Sequence, residues 1–231
     1  MLEIGPFTNP TIVGENVKYF DLFDSTALAR RASALGYVQS LTPDIHFVSS
    51  EGDLSVVTEK FSCAFSSHCI EHQPDLIRHF RQVETLLKRS GKYYLVVPDK
   101  RYCFDCVFDE TRVEEIEQAH KERRRRHTLK SIIEHRAFVS HNDSIRHWAG
   151  DHGVVHDESA RRRLIGVAEK EFALADGAYI DVHAWRFTPY SFLHILESLF
   201  DLNYITMKPI RVYNTRLGQL EFCAILKKQD E

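Results

Sequence analysis

The chain has 231 residues, of which 43% are hydrophobic and 27% charged, with a formal net charge of −3 and a pI near 6.5. That is enough apolar material for one α/β domain with an insertion, and it excludes a disordered chain and a partner held by general attraction to polyanions, nucleic acid included. No apolar run reaches the roughly 18 residues of a membrane span, and no basic segment precedes an apolar one as in a signal peptide, so the expected location is cytoplasmic.

Leu2 to Ile4 is an apolar run that passes into Gly5-Pro6 and Asn9-Pro10, which predicts a strand ending in a loop. Val17 to Phe20 predicts a second strand closed by Asp21, and Ser25 to Leu35 a helix stopped by Gly36. Ile45 to Val48 and Phe61 to Phe65 predict two more strands. Pro74 to Lys88 reads as an amphipathic helix, with Leu76, Ile77, Phe80, Val83, Leu86 and Leu87 at helical spacing and Ser90-Gly91 as its end. Tyr93 to Val97 is β-prone and nearly all apolar, as a strand covered on both faces should be, and Pro98 terminates it. Residues 100 to 178 break this rhythm. They are rich in His, Arg and Glu, contain Arg123 to Arg126, and are expected to form a mostly helical insertion that closes over the site as a lid. Thr188-Pro189 then starts a helix, and Tyr204 to Val212 and Leu220 to Leu226 predict an antiparallel hairpin.

Alternating strands and helices imply a parallel sheet covered on both faces, with ligands bound beyond the carboxyl ends of the strands. Gly5 suits a close approach of main chain to a ligand, and Asp21, 18 residues after Glu3, is placed where a carboxylate accepts from ribose hydroxyls. The plainer alternative is a turn glycine and a capping aspartate. After the fourth strand comes Ser66-Ser67-His68-Cys69-Ile70-Glu71-His72, whose two histidines share a face if the segment is helical. Imidazole there serves as a general base, or His72 and Glu71 merely satisfy main chain at a helix start. The same residues form a partial metal-ligand set without an obvious completing member, so no metal is expected. Arg101, following the best central strand, either grips an acceptor or pairs with Asp99 or Asp105. The five cysteines are odd in number and irregular in spacing, which points to reduced thiols, and the lone C-x-x-C of Cys103 and Cys106 lacks a second ligand pair. Aromatics beside polar groups around Trp148 and Trp185 suit a sugar-binding surface.

The segments LEIGPFTNP, Asp21 after VKYF, SSHCIEHQPDLIRHFRQVETLLKRSGKYYLVVPDKRYCFD and DVHAWRFTPYSFLHILE resemble the class I S-adenosylmethionine-dependent methyltransferases, in particular a bacterial branch associated with glycosyltransferases and polysaccharide biosynthesis. The resemblance covers nearly the whole chain. It implies a single Rossmann-like methyltransferase domain over 1–231, with a mostly parallel seven-stranded sheet and the insertion after the fifth strand. It assigns Glu3, Gly5 and Pro6 to the methionine part of the cofactor, Asp21 to its ribose, Gly52, Asp53 and Leu54 to adenine, and Ser67, His68 and His72 to the transfer site. The implied reaction moves a methyl group from S-adenosylmethionine to a hydroxyl on a small molecule, sugar or glycan precursor, leaving S-adenosylhomocysteine. His68 is the expected base, with His72 and His183 as alternates, and Asp99, Arg101 and Trp185 position the acceptor. A glycosyltransferase partner or a homodimer would accompany it. The family carries a helix before the first strand and a second glycine where this chain has Phe7, which leaves open a non-catalytic scaffold for a glycosyltransferase. A nicotinamide-dependent dehydrogenase would want a fuller G-x-G-x-x-G than this loop offers.

Overall fold

The computed structural model describes residues 1–37, 42–154 and 156–229. Its strands are β1 (Leu2–Ile4), β2 (Lys18–Asp21), β3 (Phe47–Val48), β4 (Phe61–Ser67), β5 (Leu87–Pro98), β6 (Met207–Val212) and β7 (Glu221–Lys228), forming one sheet in the order β3-β2-β1-β4-β5-β7-β6. The pairs from β3 through to β5 are parallel, and β7 runs antiparallel to both β5 and β6. This is the Rossmann-like, mostly parallel, seven-stranded α/β architecture expected from the sequence. The predicted C-terminal hairpin is present, with β7 rather than β6 lying against β5.

The helices are α1 (Ser25–Ala34), α2 (Leu76–Leu86), α3 (Val113–Lys121), α4 (Leu129–Ala137), α5 (Ser144–Trp148), α6 (Glu158–Ala175) and α7 (Pro189–Asp201). Their starts are chemically marked. Asp24, Asp75 and Thr188 each accept the main-chain N–H three residues on, at 2.8, 2.9 and 3.2 Å, and Pro189 occupies the first turn of α7, where its missing N–H costs nothing. The buried faces of α2 (Leu76, Ile77, Phe80, Val83) and α7 (Phe192, Ile195, Leu196, Leu199) pack with Tyr93, Leu95, Val97 and Phe222 of the sheet in one core. Residues 100–178 hold α3 to α6, as expected of a helical insertion, and a smaller cluster of Ile132, Ala168, Ile180 and Val182 joins α4 to α6.

Two expectations are corrected. Helix α2 stops at Leu86, not at Ser90-Gly91, and β5 begins at once with Leu87. The Lys228 ammonium donates to the carbonyls of Glu84 and Leu87, ending the helix from the last strand, and Gly91 instead fills a tight place where a Cβ would lie 2.9 Å from the Lys88 carbonyl. The run Arg123 to Arg126, inside the insertion expected to be mostly helical, is not itself helical. It forms the turn after α3, with Arg123 at φ +52° and the Arg124 Nε donating to Glu122 at 2.5 Å.

Candidate active site

Parallel pairing sets Ile4 beside Phe20 and Ser66, Asp21 beside Val48, and Ser67 beside Val96. Gly5, Asp21 and Ser67 therefore stand in one row at the carboxyl ends of three adjacent strands. Gly5 has φ +72°, and a Cβ there would lie 3.5 Å from the Cys69 sulfur, an ordinary contact. The left-handed backbone, rather than lack of space, calls for glycine. The Asp21 carboxylate is 7% exposed and accepts the N–H of Phe7 at 3.2 Å and of Leu22 at 2.7 Å, which leaves lone pairs for a ligand. Burial raises its pKa, and the main-chain bonds hold that rise back.

Glu3 does not face this row. Its oxygens accept from Thr11 and Ile12 at 2.8 and 3.0 Å, and the Tyr19 hydroxyl donates to the Ile12 carbonyl, so Glu3 pins the loop that starts at buried Pro6. Asp53 is likewise spent within the fold. It caps the short 3-10 turn Leu54–Val56 through Ser55, accepts from Gln82 at 2.5 Å and pairs with Arg78 at 3.1 Å, which together keep its carboxyl below the usual range. Leu54 is 1% exposed in the core, and the Gly52 N–H closes a turn onto the Ser49 carbonyl at 2.9 Å, so of the three residues expected at adenine Gly52 alone is committed neither to the core nor through a side chain.

Beyond Ser67 the chain turns sharply, with His68 at φ +47° and its N–H on the Val96 carbonyl. The 3-10 turn Ile70–His72 follows, and the Glu71 carbonyl accepts from Ala184 and Trp185, docking residues 181–185 onto it. All three histidines expected to be catalytic thus meet at one carboxylate. Glu71 Oε1 lies 3.7 Å from His68 Nδ1, 3.7 Å from His72 Nε2 and 3.9 Å from His183 Nε2. The far side of each ring is held by a further acceptor: Glu221 at 3.5 Å from His68 Nε2, the Val182 carbonyl and Asp181 each at 3.1 Å from His72 Nδ1, and Asp105 at 2.5 Å from His183 Nδ1. Burial works against a charged imidazole at His68, but Glu221 and Glu71 outweigh it and hold the pKa above the ordinary value. Burial alone would raise Asp105; His183 and Arg186 bring it below the ordinary carboxyl range instead. His68 is the open member, with 39% of its side chain exposed against 21% for His72 and 6% for His183.

The residues expected to grip an acceptor divide. Asp99 is fully buried, receives two guanidinium bonds from Arg101 and accepts the Thr215 hydroxyl, so it anchors Arg101 and meets no ligand itself. Arg101 remains half-exposed, its guanidinium 5.0 Å from the centre of the Tyr102 ring, which stacks on Trp148 at 3.9 Å. Trp185 is 4% exposed and donates its indole N–H to the Gln73 carbonyl at 2.6 Å, so it is a core residue and offers no ring face. Of the site's carboxylates, Glu71 and Asp105 are read from the sequence in other roles, Asp181 lies in the segment DVHAWRFTPYSFLHILE, and Glu221 is not singled out. Glu71 and His183 are 112 positions apart, and no spacing rule joins them; the pattern DVH at 181–183 was the available signal for Asp181.

No family model matches the chain, and no curated protein matches it. Among solved structures it is similar to the carbon methyltransferase CurJ at 11% identity and TM-score 0.45, over 99% of this chain and 48% of that one. Others are an S-adenosylmethionine-dependent methyltransferase from Methanosarcina mazei (15%, TM-score 0.44, 100% and 92%) and one from Clostridium acetobutylicum (11%, TM-score 0.45, 99% and 83%). These neighbours are methyltransferases. The chain spans about half of the first of them, and likeness at this level says nothing of acceptor or residue roles. The fold itself stands on the strand order given above.

Proposed function

We propose that the chain is an S-adenosylmethionine-dependent methyltransferase acting on an acceptor hydroxyl. The observation that carries this reading is the row of Gly5 and Asp21 at the ends of β1 and β2, next to an exposed imidazole, His68, at the end of β4. The residues fit the cofactor at two points: a left-handed glycine that brings main chain to the crevice, and a buried carboxylate with lone pairs to spare for ribose hydroxyls. When bound, the cofactor supplies a sulfonium-activated methyl group. The protein then has to orient the acceptor and take its proton. Neutral His68 receives that proton, and Glu71 and Glu221 on either side stabilise the imidazolium that forms.

The acceptor class we favour is a sugar or glycan hydroxyl, which a glycosyltransferase acting in sequence would supply or use. Supporting it are the stacked Tyr102 and Trp148 rings beside Arg101, since aromatic faces pack on sugar C–H groups while polar neighbours meet hydroxyls. The test is calorimetric titration with S-adenosylhomocysteine of the wild-type chain and of Asp21→Ala. Micromolar binding that Asp21→Ala loses supports the enzyme, and a folded wild-type chain that binds nothing would leave the scaffold reading in its place.

A further inference from the structure

We infer that Glu71, His72 and His183 form a binding site for a divalent transition-metal ion. The first ground is an orphaned charge. Glu71 is fully buried, and neither of its carboxylate oxygens has a hydrogen-bond partner. A buried polar group left in this state is costly, and a buried carboxylate more so, unless a cation completes it. The guanidinium groups in this part of the molecule are committed elsewhere: Arg31 to Asp181, and Arg186 to Asp105 and Glu134.

The second ground is the direction of the two buried rings. His72 Nδ1 faces a carbonyl and a carboxylate, and His183 Nδ1 faces a carboxylate. Those oxygens only accept, so each Nδ1 carries the proton and donates it. In the neutral ring the lone pair then falls on Nε2, and in both residues Nε2 is the atom turned toward Glu71. Two nitrogen lone pairs converging on a carboxylate repel one another, and a cation between them reverses the sign. An outer carboxylate or carbonyl fixing the tautomer of a ligating histidine is the usual support of such ions, and this site has it on both rings.

The spacing is that of a coordination shell. The three donor atoms lie within 4.8 Å of one another, with carboxylate to nitrogen separations of 3.7 and 3.9 Å. Donors around a tetrahedral ion with bonds of about 2.0 to 2.1 Å sit roughly 3.3 to 3.5 Å apart, so the two carboxylate–nitrogen separations need to close by only a few tenths of an ångström. Two imidazoles and one carboxylate suit Zn²⁺, Co²⁺, Fe²⁺ or Mn²⁺ better than Ca²⁺ or Mg²⁺, and three protein ligands leave at least one position for water or an acceptor oxygen. His68 stands beside that ligand set on the same carboxylate and is the exposed base next to it.

The site does not depend on the methyltransferase reading. The experiment titrates the chelator-stripped chain with Co²⁺, following d–d absorption and calorimetric stoichiometry, and repeats it with Zn²⁺. One ion per chain is expected, with affinity lowered at least 100-fold in Glu71→Gln and in His183→Gln, and about 10- to 100-fold in Asp105→Asn, which alters only the support of His183. Cys106→Ser, at the other grouping of possible ligands (Cys106, His147 and His152), should bind as the wild type does. Circular dichroism and the S-adenosylhomocysteine titration run on the same samples. A wild-type chain that takes up no stoichiometric ion, or one whose binding survives Glu71→Gln and disappears in Cys106→Ser, overturns the inference. A chain that binds the ion and not S-adenosylhomocysteine defeats the functional reading and leaves the metal site standing.

Discussion

At the scale of single residues, conformation and commitment of atoms decide more than residue type. Gly5→Ala would meet Cys69 only at van der Waals distance, so its cost is that of forcing a left-handed φ on a residue with a Cβ, about 1 to 2 kcal/mol, read by denaturant unfolding. A much larger loss would mean that the loop after β1 is tighter than these contacts show. His68→Gln should leave S-adenosylhomocysteine affinity unchanged and slow transfer to any methylated sugar by about 10² to 10⁴-fold, measured in single turnover. Loss of cofactor affinity in that variant would make His68 a binding residue and not a base. The same distinction explains which sequence assignments changed. Asp21 and Glu3 each accept one main-chain N–H on either oxygen, and what separates them is placement, Asp21 at the carboxyl end of β2 and Glu3 within β1; Asp53 and Asp99 look like Asp21 in a sequence yet are tied to the guanidinium groups of Arg78 and Arg101, while His68 keeps 39% of its side chain exposed.

Whole elements were largely legible because their signals are local. The helical spacing of Leu76 to Leu86, the Thr188-Pro189 start and the apolar Tyr93 to Val97 run each report a period or a cap that needs no distant partner. The end of α2 was misplaced because what stops it, Lys228, arrives from the far end of the chain. Capping energies are testable at this scale. Thr188→Ala removes the side-chain acceptor for the Ser191 N–H and should cost about 1 kcal/mol, a fall in Tm of roughly 2 to 4 °C for a chain of this size. Because α7 packs on the central sheet, a Tm unchanged in Thr188→Ala would show that packing alone sets the helix start. Deleting α4 to α6 asks whether the insertion is a lid: sugar affinity should drop while S-adenosylhomocysteine affinity holds, and unchanged sugar affinity would rule that role out.

For the molecule as a whole, the candidate site was only half legible: its histidines lie in two conspicuous segments, but their meeting at Glu71 is a product of topology. The interior also sets an acid limit. Burial pushes the His79 imidazole, bonded to the Tyr93 hydroxyl, down to about 3 from the ordinary 6.5, and pushes His127 and His135 the same way. The unfolded chain takes up those protons first as pH falls below 6.5, so stability is complete above that pH and declines toward 3, by about 1.4 kcal/mol per pH unit for each such histidine. Guanidinium unfolding between pH 7.5 and 4.5 should show that slope, and His79→Gln should remove one proton's share of it; equal slopes in the two proteins would contradict the burial of His79. The position of β7 has a consequence for how the chain is put together. Since β6 touches the sheet only through β7, β6 can join the sheet only together with residues 221–228. Until residues 221–228 are in place, β5 presents an open, apolar border and Glu221 is missing from His68. A chain without that strand in place therefore carries an unpaired edge inclined to pair with its neighbours, and lacks one of the two carboxylates that flank His68.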